Sequence, residues 1–207
     1  MNKDKDYEQL SRKHYNQIAQ HFDFSLDGLL SYPFKRLINH NLHLQTGDRI
    51  LDVGCANGRL LALLGRQAKI TAVGLDIAEK MVQKARQNYP EYRFITGSAE
   101  DLAVCGEKFD YIICSASFHH FPDPVRFLNS AKQHLSSHGR LIIAEINLPF
   151  FHDLYNRMLI LKSQEGDVKA YTTGELTNLF SENHFKIMHQ QIFFQIQYYE
   201  LSLQTLD

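Results

Sequence analysis

The feature that most constrains this chain is an alternation. "RILDVG" leads into "GRLLALLGRQ", "ITAVGLD" into "AEKMVQKARQNY", and "FDYIICSA" is followed, past a loop, by "PVRFLNSAKQHL". "YRFITG" and "GRLIIAEI" complete a set of short apolar runs with strand character, interleaved with segments of helical length and period. Strands separated by helices cannot be joined by tight hairpins. They pair in parallel through right-handed crossovers, so the chain is expected to form an α/β fold with a doubly wound sheet.

The flanks differ in character. Tyr7, Leu10, Tyr15, Ile18, Ala19 and Phe22 recur at spacings of three to five, which predicts a helix from about Tyr7 to Phe22. "DFSLDGLLSYP" interrupts it, and a second helix is expected to begin at Pro33 and run through "FKRLINHNL". After the last apolar run, "FFHDLYNRMLILKSQ" predicts a helix, and Thr172 with Glu175 marks the start of another by capping-box spacing. "FKIMHQQIFFQIQYYELSL" has strand composition, with no Gly or Pro to separate a hairpin from one long strand. The expected organisation is a helical cap over 1–45 and a main domain over 46–207, with an acceptor-side helical insertion at about 147–171.

The 22 Lys and Arg against 23 Asp and Glu leave a net charge of -1, which gives no general attraction to nucleic acid or anionic membrane. The charged start "MNKDKDYEQLSRK" has no apolar signal core, and no stretch reaches the length of a membrane span, so a cytoplasmic protein without stable membrane insertion is expected. Cys55, Cys105 and Cys114 form no CxxC pair and suit reduced thiols.

In an open α/β sheet, ligands bind beyond the carboxyl ends of the strands, and "ILDVGCANGRLL" lies at such an end. Gly54 and Gly58 permit a sharp turn and close approach of a ligand. A dinucleotide fingerprint would place glycines where this chain has Gly54, Ala56 and Arg59, so the third position is wrong. Asp52 would also repel a phosphate at about 4 Å by roughly 1 to 4 kcal/mol, and the same charge favours a cationic ligand. No Gly-Lys-Ser/Thr follows, which excludes a Walker loop. Asp76, 24 positions on (76 − 52), ends the next strand. Its carboxylate either accepts ribose hydroxyls, with Ile77 on an adenine face, or caps the following helix.

Five blocks, "ILDVGCANGRLL", "VGLDIAEKM", "FITGSAEDL", "FDYIICSASFHHFPDP" and "GRLIIAEI", resemble in order and spacing the class I methyltransferases that use S-adenosyl-L-methionine. The small-molecule branch, with the ubiquinone and menaquinone biosynthesis enzymes, is the most similar. The resemblance implies a Rossmann-like, mainly parallel seven-stranded sheet with an N-terminal helical cap. It implies that backbone atoms of Gly54, Cys55 and Ala56, in the turn closed by Gly58, meet the amino-acid end of the cofactor, with Asp52 on the ammonium. Asp76 would take the ribose, Ile77 the adenine, and Ser115 the wall after the fourth strand. Ser98 stands where the family often has aspartate, which shifts adenine recognition to the Ala99 amide and Glu100. Ala56 stands where glycine is usual. Tyr15 is a lid candidate, whereas Phe22 fits the helix's own apolar stripe.

The sulfonium is a strong electrophile, so such a protein chiefly aligns an acceptor with the methyl group. His119 and His120 are the candidates for acceptor binding or general base, against a packing role in the turn before Pro122. Adjacent histidines do not converge on one ion without further ligands, so no metal is expected. The segment "NLPFFHDLYNRMLILKSQEGDVKAY" is expected to choose a small-molecule acceptor. The sequence sets no oligomeric state. "CSAS" after the fourth strand lacks the tetrad of DNA amino-methyltransferases, so a nucleic-acid acceptor is not expected. A cofactor-binding regulatory protein without turnover and a nicotinamide-dependent oxidoreductase are the alternatives. S-adenosyl-L-homocysteine would be the product left in the site.

Overall fold

The computed structural model describes residues 6–149, 151–160, 163 and 165–204. Seven strands form one sheet in the order β3-β2-β1-β4-β5-β7-β6. These are β1 (Arg49–Val53), β2 (Thr71–Asp76), β3 (Arg93–Thr96), β4 (Phe109–Ser115), β5 (Leu135–Ile146), β6 (Phe185–Phe193) and β7 (Ile196–Leu203). The first five pair in parallel, and β7 runs antiparallel between β5 and β6. Strand order reverses between β1 and β4, which makes that junction the switch point where an open sheet offers its crevice.

Both faces of the sheet are covered, and adjacent residues divide between them. Ile50, Ile113, Ile142 and Tyr198 pack with helices α2 (Leu26–Asn41), α3 (Arg59–Leu64) and α4 (Glu79–Asn88) on one face. Leu51, Ile112, Ile143 and Tyr199 pack with α5 (Pro124–His134) and α7 (Thr173–Glu182) on the other. This is why the strands read as apolar runs with no polar alternation.

The N-terminal helices depart from expectation at two places. Helix α1 spans Tyr7–Ile18, and Ala19–Phe24 continues as a 3-10 segment with His21 outside helical geometry (φ -120°). Helix α2 begins at Leu26 and contains Pro33 in its interior, so the expected start at Pro33 is corrected. Ser25 is the true cap, its hydroxyl accepting from the Gly28 amide at 3.1 Å. Pro33 cannot bond the Leu29 carbonyl, but Leu29 and Leu30 are exposed there and water can take that oxygen. Gly28 is needed because a Cβ would collide with the carbonyl oxygen of Phe22.

At the other end, Thr172 and Glu175 form the expected capping box of α7. The single helix expected over "FFHDLYNRMLILKSQ" is instead one α-turn, α6 (His152–Leu154), followed by a π-helical Tyr155–Ile160. Phe150, Leu161, Lys162 and Gln164 of that expectation lie outside the described residues. The final aromatic stretch is a hairpin turning at Phe194 and Gln195, with Phe194 at φ 51°. A bulky residue occupies a backbone region that usually announces itself by Gly or Asn, so the sequence carried no turn signal. Among the described residues no helix is long and apolar enough to cross a membrane.

Candidate functional site

A cavity of about 310 Å³ opens at the carboxyl ends of β1, β2 and β4, under α1 and α2. Its floor is the glycine turn. Gly54 (φ 76°) donates its amide to the Leu75 carbonyl at 2.8 Å, and a Cβ there would stand 2.5 Å from Ser117 Oγ. The Ala56 amide donates to Asp76 Oδ2 at 2.8 Å, and the Ala78 amide to Asp76 Oδ1 at 2.8 Å. Asp76 thus ties the glycine turn to Ala78, the residue before α4, while lining the cavity; it does not cap that helix, which has no side-chain cap. Burial, opposed by those two amides, pushes its carboxyl up to about 6. Gly58 (φ 82°) precedes α3 with the Phe94 ring 2.8 Å from where a Cβ would be.

Ala56 holds φ 47°, the left-handed region that costs an L-residue about 1 to 2 kcal/mol. Replacing it by glycine removes that strain, so Ala56→Gly is expected to raise the unfolding free energy by about 1 kcal/mol, read from the shift of the urea midpoint.

Behind the turn, Asp52 is 1% exposed and its Oδ1 has no hydrogen-bond partner. Burial raises its carboxyl to about 7, with Lys35 pulling it down and Asp76 adding to the rise. Lys35 reaches in from α2, donates to Ser31 Oγ at 2.6 Å, and is lowered to about 8 by burial, with Asp52 opposing. Lys35 therefore lines the cavity, with the buried Asp52 behind the turn. Arg59, the residue wrong for a dinucleotide loop, pairs with Asp23 at 3.2 Å.

On the β3 side, Ile77, Ala99 and Glu100 line the cavity. Ser98 does not, since its hydroxyl donates to Glu8 Oε1 of α1 at 2.5 Å. Glu100 accepts from the Asp123 amide at 2.7 Å, and burial raises its carboxyl. Ser115 lines the wall beyond β4 with its hydroxyl buried and unpartnered.

The far end is built by the two histidines. His119 places Nδ1 2.8 Å from Glu145 Oε1, and its own amide donates to Glu145 Oε2 at 3.1 Å. Burial disfavours its charge, but Glu145 outweighs this and raises the imidazole above its ordinary value. His120 Nε2 lies 3.0 Å from the Tyr15 hydroxyl, which brings α1 down as a cover. Burial, then the neighbouring His119, lowers His120 to about 4. Asp167, in the segment after Ile160, faces both rings. Phe22 is buried and lines the same space.

Tyr15, Gly54, Ala56, Asp76, Ile77, Ala99, Glu100, Ser115, His119 and His120 thus meet in one cavity, whereas Asp52, Cys55, Gly58 and Ser98 stand behind its wall. Cys55 and Cys114 are fully enclosed and their thiols pushed well up by burial, Cys105 to about 11, so none offers a thiolate. The sequence reading missed Lys35, Glu145 and Asp167. Lys35 and Glu145 had a signal, a charge inside an apolar helix stripe and inside a buried strand. Asp167 had none, because only the fold brings its loop back to the histidines.

A methyltransferase domain family matches residues 44–196. A ubiquinone biosynthesis O-methyltransferase of Cereibacter sphaeroides is 31% identical over 63% of this chain and 49% of its own length. The chain thus spans about half of that curated relative. A demethylmenaquinone methyltransferase of Tropheryma whipplei is 26% identical over 89% of this chain and 83% of its own. Among solved structures, magnesium protoporphyrin IX methyltransferase of Synechocystis, with bound S-adenosylhomocysteine, covers 97% of this chain and 100% of its own at a TM-score of 0.71 and 18% identity, a likeness of fold.

Proposed function

Because the chain belongs to the class I, S-adenosylmethionine-dependent methyltransferase domains, we propose that it transfers a methyl group to a small-molecule acceptor whose nucleophile enters beside His119 and His120. The observation that carries this is the electrostatics of the cavity wall. One lysine, Lys35, faces six carboxylates, those of Glu8, Asp27, Asp76, Glu100, Glu165 and Asp167. A wall of that sign suits a sulfonium and repels a pyrophosphate, which disfavours the nicotinamide alternative. The chain also fits the cofactor in detail. The Gly54 cradle would be filled by a Cβ, and Asp52 Oδ1 and Ser115 Oγ are buried without partners.

When bound, the cofactor supplies an electrophilic methyl carbon. The protein's part is to hold and align. Asp52 and Lys35 offer opposite charges to a zwitterionic amino-acid end, and Asp76 offers a carboxylate to the ribose. Ile77 and Ala99 cover the adenine side, while Tyr15 and Phe22 exclude water from above. The names of the relatives support an aromatic acceptor of the quinone-precursor type. Three buried, unpaired cysteines support a reducing, cytoplasmic setting.

Calorimetry with S-adenosylhomocysteine tests the reading, together with radiolabelled methyl transfer to a panel of demethylated quinols. No heat at millimolar ligand would overturn it. Tight product binding with no transfer to any acceptor would favour a regulatory protein.

Binding should also depend on pH. Asp52, raised to about 7, is mostly protonated at about pH 6 and must lose its proton to pair with the ligand's ammonium. Affinity is therefore expected to rise by up to about tenfold between about pH 6 and 8, with proton release visible as a buffer-dependent enthalpy. Asp52→Asn should abolish that proton release.

A further inference from the structure

The acceptor end of the cavity holds more than methyl transfer requires. His119 Nε2 lies 3.7 Å and His120 Nδ1 3.3 Å from the same oxygen, Asp167 Oδ1. The three groups lie within 4.8 Å of one another. Ligand atoms bound at about 2.1 Å stand about 3.4 Å apart around a tetrahedral ion and about 3.0 Å around an octahedral one. Both separations from Asp167 Oδ1 therefore lie close to the spacing of a cation's ligands.

Each is also oriented from behind by a different partner. Glu145 accepts from His119 Nδ1, which leaves the Nε2 lone pair directed toward Asp167. Ser163 Oγ donates to Asp167 Oδ2 at 2.6 Å, which turns Oδ1 toward the rings. His120 Nε2 lies 3.0 Å from the Tyr15 hydroxyl, and in the tautomer that donates there Nδ1 presents its lone pair toward Asp167. A carboxylate behind a histidine and a hydroxyl behind a carboxylate are the supports that fix metal ligands. Two imidazoles and one carboxylate suit zinc or iron(II) better than magnesium or calcium.

We propose that His119, His120 and Asp167 form a binding site for a divalent transition-metal ion, with an open coordination position facing the cavity. That position takes an ionisable oxygen or sulfur of the acceptor. This last clause rests on the methyl-transfer reading, whereas the ion site does not. An acceptor O–H or S–H bound there gives its proton to solvent and directs its lone pair at the methyl carbon. The new bond forms as the carbon–sulfur bond breaks, and its electrons turn the sulfonium into a thioether. The ligands come from β4's following turn and from the loop 47 positions beyond His120 (167 − 120), which explains why adjacent histidines alone gave no such expectation.

The test uses the full chain after chelator treatment. Cobalt(II) is expected to give visible absorption bands of a nitrogen and oxygen site, and zinc to bind at one equivalent by calorimetry. Asp167→Asn and His120→Gln should each weaken zinc by about tenfold or more. Both should keep the far-ultraviolet circular dichroism of the parent chain, which reports that they fold. His14→Ala, in the neighbouring His14, Asp27 and Glu165 group, should leave zinc binding unchanged. Absence of cobalt bands in the unaltered chain overturns the proposal without any variant. So does zinc affinity equal to the parent chain's in both substituted chains, or loss of zinc on His14→Ala alone. Zinc binding without S-adenosylhomocysteine binding would defeat the methyl-transfer reading and leave the ion site standing; the reverse would defeat the ion site alone.

Discussion

Asp76→Ala is expected to weaken S-adenosylhomocysteine binding by about tenfold or more, because hydrogen bonds to a charged group are each worth about 1.5 to 3 kcal/mol when lost. Two effects add. The carboxylate proposed to meet the ribose disappears, and so does the acceptor that holds the Ala56 amide at 2.8 Å and with it the glycine turn. Isothermal calorimetry reads the loss, and Asp76→Asn separates the effects. Asparagine keeps one oxygen for a backbone amide, but its nitrogen cannot accept from a ribose hydroxyl. A binding constant unchanged in both variants would remove Asp76 from the site.

Glu145→Ala is expected to lower stability by about 3 to 5 kcal/mol, the cost of breaking a buried pair and leaving its partner uncompensated. Glu145 is fully buried in β5 and accepts from His119 Nδ1, the His119 amide and the Ile146 amide. Removing it strands three donors, two of them on the buried His119. The measurement is the urea midpoint at unchanged slope. A change under about 1 kcal/mol would mean that water enters behind His119. The two substitutions should therefore separate: Asp76→Ala chiefly costs ligand affinity, Glu145→Ala chiefly costs the fold.

The parts of this protein that were legible in its sequence are those set by local chemistry. The alternation of apolar runs with helical segments dictated a parallel sheet, since a strand buried on both faces has no polar side to show. Ser25 and Pro33 mark the limit of such reading. Proline is favoured in a first turn and disfavoured within a helix, yet Pro33 lies inside α2, because the Ser25 cap and the packing of Phe34, Leu37 and Ile38 carry the helix through it. The hairpin at Phe194 was hidden for the converse reason, since its sheet partners impose a backbone conformation that its side chain does not prefer.

The site divides along the same line. Asp52, Gly54, Asp76 and the histidine pair were visible because each sits at the end of a strand, and strand ends in this architecture converge by rule. Lys35 and Asp167 come from a helix before the sheet and a loop near its end. Nothing local to them says what they face. Sequence alone determined the sheet, the glycine turn and the sign of charge that turn tolerates, because steric and Coulomb constraints act between near neighbours. Only the tertiary structure decided which distant groups close the cavity and turn two adjacent histidines toward a common carboxylate, because that convergence follows from the packing of elements that the chain keeps far apart.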